Sequence, residues 1–178
     1  MKRPAQVIGL LVWMTVLALP AVASRRDPLT EVEADQLREV AQEPPLKLKL
    51  FIKFTEQRLA SAEALGADPK AGPDRARRIH DLLEDFTNLV DELGDNVDAY
   101  ASRKEDLRKP LAEVIAASND WAARLRDFKA AASAAPVAAK EAKTYSLVLE
   151  DALDSVQSGL KSAQELLEEQ KEQFKKKK

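Results

Sequence analysis

The chain contains no cysteine, and its two methionines, Met1 and Met14, both fall before residue 24. Without cysteine there is no disulfide stapling, and no lipoprotein anchor, which needs a thiol to carry its acyl chains. Histidine is nearly as scarce, His80 standing alone among 178 residues. Beyond residue 23 the chain therefore lacks the axial Met/His or Cys-with-His sets of bundle cytochromes. A ferritin-like di-iron site needs two Glu-x-x-His motifs, and Arg77 occupies the place three before His80. Zincin and zinc-finger spacings are absent too. Glycine is rare, with 5 in the chain, and none forms a phosphate-cradling loop or a Gly-x-Ser-x-Gly elbow. Aromatics make up 5%, so a core must come mainly from Leu, Val and Ala. No cofactor is implied by any of this.

What is present begins with a leader. Lys2 and Arg3 precede an apolar run from Val7 to Leu19, Pro20 breaks it, and Ala21-Val22-Ala23 places small residues before Ser24. That order predicts a secretory signal cleaved after Ala23 and a protein working in the periplasm or outside the cell. An uncleaved membrane anchor is the alternative, although residues 7–23 reach only the lower limit of a spanning helix, roughly 17 residues. Residues 24–178 read as a single domain, long enough to bury a core. Removing the leader changes the formal charge from −2 to −4, because it carries two basic residues and no acid. Such an acidic balance gives no general attraction for nucleic acid.

Charged residues form a third of the chain, and apolar residues recur at steps of three and four, the signature of long solvated helices. Thr30 and Glu33 fit a capping box opening a helix over 31–42, which Pro44-Pro45 ends. Leu46, Leu48, Leu50, Ile52 and Phe54 alternate as in a strand. No second such run exists to pair with it, and Leu48, Phe51, Ile52, Thr55, Leu59 and Ala62 form a helical stripe, so a helix is expected over 46–65. Gly66 stands at the usual C-terminal glycine position.

A seam then runs through Ile79, Leu82, Phe86, Leu89, Leu93, Val97 and Tyr100, and continues through Leu107, Leu111, Val114, Ser118, Trp121, Leu125 and Phe128. Pro110 inside it predicts a break near Asp106–Lys109 and helices over 74–105 and 110–131. One kinked helix is the rival reading. A last helix is expected over 137–174, with Tyr145, Leu149, Ala152, Val156, Leu160, Ala163, Leu167 and Phe174 on one face. The fold expected is all-α: an elongated antiparallel up-and-down helical bundle of three or four long helices with coiled-coil-like seams, the 31–42 helix lying across one end.

Two surface features are candidates for binding. No Lys or Arg occurs between Asp81 and Ser102, whereas seven acids do. Glu84, Asp91, Asp95 and Asp98 from this stretch form a candidate partner-docking face, suited to a basic partner or to loosely held divalent cations. A solvated face answered by neighbouring arginines is the alternative. Lys175, Lys176, Lys177 and Lys178 form a candidate basic tail for weak contact with an anionic envelope surface. His80 reads as an exposed histidine beside a carboxylate, and Trp121 as core. The function these features favour is an exported non-enzymatic element of the bacterial cell envelope, acting through protein–protein interaction or as a structural part. A periplasmic holdase-type chaperone, with the Leu46–Phe54 stripe open to client proteins, is the second reading, and an enzyme with an unrecognised site the third. Self-association remains compatible with long seams.

Overall fold

The computed structural model describes residues 27–68, 70–134 and 136–175. The expected signal and its cleavage site, and Lys176 to Lys178, lie outside the described residues. Among those described, the protein is all-α, with six helices and no strand: α1 (Glu31–Glu39), α2 (Pro44–Ala67), α3 (Arg75–Ser102), α4 (Arg108–Ser133), α5 (Pro136–Ala142) and α6 (Ser146–Lys175). No helix among them is long and apolar enough to cross a membrane.

Local chemistry accounts for the starts of α1 and α2. Thr30 and Glu33 form the reciprocal capping box of α1: the Glu33 N–H donates to Thr30 Oγ1 at 3.3 Å, and the Thr30 N–H to Glu33 Oε2 at 2.8 Å. α1 closes at Glu39 rather than residue 42. Pro44 and Pro45 do more than stop it, since they are the first two residues of α2. Proline suits that place because the first helical N–H groups have no partner inside the helix. The strand-like run of α2 is helical. Leu46 is 45% exposed and Phe51 only 3%, whereas strict alternation would bury the first and expose the second.

Gly66 does not end α2, which runs one residue further, and it is not among the glycines of positive φ. Its role is to make room: the Phe128 ring of α4 packs over it, with Cε2 at 2.6 Å from where a β-carbon would stand. In α3 the buried position is Leu83, with Leu82 only partly covered.

The helix breaks before Pro110, between Arg103 and Leu107, somewhat earlier than the sequence implies. Pro110 then sits in the first turn of α4, where its missing N–H costs little. The reversal uses Lys104 at φ 61°, a left-handed conformation uncommon outside glycine. Buried Gln170 on α6 holds this turn, accepting from the Leu107 N–H at 2.7 Å and donating to the Glu105 carbonyl at 2.9 Å.

The expected single helix over 137–174 is two helices, α5 and α6, separated by a turn at Lys143–Tyr145. There the backbone bonds tighten to three-residue spacing, Thr144 N–H to Glu141 and Tyr145 N–H to Ala142, both at 3.0 Å. Two distant contacts fix this corner. Arg75 Nε donates to Glu141 at 3.1 Å, and the Tyr145 ring lies 5.9 Å from that of Phe128.

Helices α2, α3, α6 and α4 pack in that order around one core, α4 closing back on α2. Consecutive α3 and α4 thus face each other across the middle, where Phe86 and Trp121 meet edge to face at 5.7 Å and 81°. Trp121 is 1% exposed, and its indole N–H donates to Glu56 at 3.0 Å. Beside it Arg124 bonds Glu63, Glu56 and Asp120. Hydrogen bonds donated to Glu63, outweighing partial burial and joined by those donated to Glu56 and Asp120, favour the charged guanidinium still further. α1 is tied on through Arg58, which bonds both carboxylate oxygens of Glu33 at 2.9 and 2.5 Å and the Pro28 carbonyl at 2.8 Å.

Candidate functional site

Because α6 lies beside α3, residues some sixty positions apart form a groove. On α3, Asp91, Asp95 and Asp98 follow one another at steps of four and three, exposed along one edge. On α6, Ser155, Ser158 and Ser162 repeat at steps of three and four along the opposite edge. Gly94 and Gly159 stand between these rows, and a β-carbon on either would meet nothing within 4 Å. The resulting groove has a volume of about 470 Å³. Val90, Leu93, Val97, Val114 and Ala163 are its apolar floor, and none of its lining residues is basic. The Ser155 hydroxyl donates to Asp91, tying the two edges together at one point.

The docking face expected from the sequence is thus partly assembled. Asp91, Asp95 and Asp98 share the groove, whereas Glu84 lies outside it, nearly two turns earlier on α3. Glu84 belongs instead with His80 and Asp81: their potential ligand atoms all lie within 4.8 Å of one another, and His80 Nδ1 is 3.5 Å from Asp81 Oδ1. These three donors could coordinate a borderline divalent cation, but they come from a single helix, with His80 and Asp81 more than one-third exposed. Of the basic tail, Lys175 is described, and it pairs with Glu172 at 2.7 Å. Sequence reasoning missed Ser155, Ser158, Gly159 and Ser162. Their signal was a row of small residues at helical spacing, whose meaning depends on which helix lies opposite.

The groove's one buried hydroxyl residue, Ser118, has no histidine or lysine beside it in the lining, and the groove stands open to solvent. Chemically it offers three carboxylates in a row, hydroxyls facing them, and an apolar trough with space for small or medium side chains. That set suits a helix or extended segment bearing Lys or Arg. No protein-family model matches the chain, and neither a curated protein nor a solved structure matches it.

Proposed function

We propose that this is an exported, non-enzymatic interaction element of the bacterial cell envelope, which binds a basic protein segment in the groove between α3 and α6. The observation that carries the reading is the row Asp91, Asp95 and Asp98 beside an apolar trough with no cation in its lining. Carboxylates with no basic answer among the described residues favour a partner that brings one. Export rests on Lys2-Arg3, the apolar run and the Ala21-Val22-Ala23 site.

The architecture best suited to this role is an elongated up-and-down bundle. Contacts Leu107 with Gln170 and Lys129 with Glu150 support opposite directions for α4 and α6. Long parallel edges then give a partner helix several turns of contact. Placing a photo-cross-linking residue at Ser158 in living cells tests the proposal. An adduct that vanishes in the triple variant D91N/D95N/D98N, but persists when the same three changes are made at Asp120, Asp127 and Asp154, supports it. An adduct unaffected by the groove aspartates overturns it.

The holdase reading asks for an apolar stripe open to clients. Leu48, Phe51 and Phe54 are 1–3% exposed and packed inward, Leu50 and Ile52 are partly covered, and Leu46 is the one exposed member. No suppression of light scattering by an aggregating model protein is the outcome expected.

A further inference from the structure

At the other end of α6 lies a second concavity of different chemistry. The starts of α2 and α4 and the last turns of α6 enclose a groove of about 880 Å³. Pro45, Leu46, Pro110 and Leu167 give it an apolar lining. Leu46 is one of three large hydrophobic side chains exposed among the described residues. Lys49 and Lys109 stand at its edge and enter no ion pair among those residues. Arg108 and Lys171 also line it, but the first is bound to Asp106 at 2.6 Å and the second to Glu168 at 2.7 Å. With Asp106 answered in this way, Glu113 is the one lining acid set against Lys49 and Lys109. The Arg108 guanidinium lies 4.6 Å from the Phe174 ring, which brings the end of α6 to this groove. The sequence continues from there with four lysines, 175–178.

We propose that this end of the protein docks on an anionic lipid bilayer. Exposed leucine beside unanswered lysines is the combination that an interface of acyl chains and phosphates satisfies: Leu46 and Pro45 enter the headgroup layer while Lys49 and Lys109 meet lipid phosphates. A soluble polyanion would satisfy the lysines and leave Leu46 in water. The proposal goes beyond the α3–α6 groove, uses none of its residues, and does not depend on it.

The test is co-sedimentation of the chain from Ser24, which carries every described residue, with phosphatidylcholine vesicles with and without phosphatidylglycerol. Binding is expected only where phosphatidylglycerol is present, and high salt should release it. Lys49→Gln with Lys109→Gln should weaken it about 25-fold, at about fivefold per cation, and Leu46→Ala severalfold, with helical circular dichroism unchanged. The D91N/D95N/D98N chain should bind vesicles like the parent, so the two proposals fail separately. Equal binding to neutral vesicles overturns the inference. So does full binding by the double lysine variant with loss on truncation after Lys175, which assigns adhesion to the tail alone. Binding of dissolved dodecyl phosphate without binding of vesicles also overturns it.

Discussion

Phe128 Cε2 stands 2.6 Å from the point where Gly66 would carry a β-carbon, closer than such atoms approach in proteins. α2 and α4 therefore meet here only because residue 66 has no side chain. Alanine normally improves a helix interior by about 1 kcal/mol over glycine. At this position the ring must move, and it also packs on Tyr145. Gly66→Ala is expected to lower stability by about 1 kcal/mol. Gly94→Ala and Gly159→Ala, facing open space, are each expected to raise it by about 0.5–1 kcal/mol. Urea unfolding of the three variants checks both signs.

Replacing Gln170 by leucine keeps most of the volume and deletes two hydrogen bonds. The Leu107 N–H and Glu105 carbonyl would be left without their partner, at about 1–3 kcal/mol for each group that stays dry. The expected sign is a lower midpoint in thermal unfolding, with amide exchange at Leu107 accelerated more than in the middle of α4.

Lys104 holds a left-handed conformation that costs an ordinary residue about 1 kcal/mol. Lys104→Gly should therefore stabilise the protein, by about 0.5 kcal/mol after the greater freedom of glycine in the unfolded chain is counted. Lys104→Val should do the reverse, since a branched β-carbon fits that region worst. Denaturation midpoints of the pair give the comparison.

The clasp of α1 should respond to acid. Burial disfavours the charged Glu33, yet hydrogen bonds from Arg58, from the Thr30 backbone and from its hydroxyl prevail and hold the carboxyl below its ordinary value of 4.5. A lowered folded-state value means that the stabilisation is fully present above pH 4.5 and is lost as pH falls through that lower value. Glu33→Gln should remove this dependence, and Arg58→Ala should cost on the order of 2 kcal/mol by stripping a partly buried carboxylate of its donors. Amide exchange across Glu31–Glu39, followed against pH, reports it directly.

How much of this was legible beforehand depended on how far apart the deciding residues lie. The seams of α3 and α4 could be read because three- and four-residue steps are local, and so could the capping box, whose partners are three residues apart. The role of Gly66 could not, since an end-of-helix glycine and a glycine cleared for a ring look alike until Phe128 is placed opposite. The corner at Lys143–Tyr145 was hidden for a similar reason. Tyr145 keeps the seam register, while Arg75 and Phe128 impose the bend from elsewhere. For the groove, the acidic row was visible and its serine counterpart was not. Short connections favour consecutive helices as neighbours, whereas here α3 faces α4 across the core and takes α6 as its flank.

That crossing gives the final segment an unusual responsibility. α6 walls both α3 and α4, so a polypeptide interrupted before Ser146 would present the inner surfaces of two helices with one of their covering neighbours missing. Assembly of the interior must wait for the 30 residues of α6. Nicking near residue 145 should then unravel far more than the severed piece, making the corner at Lys143–Tyr145 a point where a protease could dismantle the packed helices in a single cut.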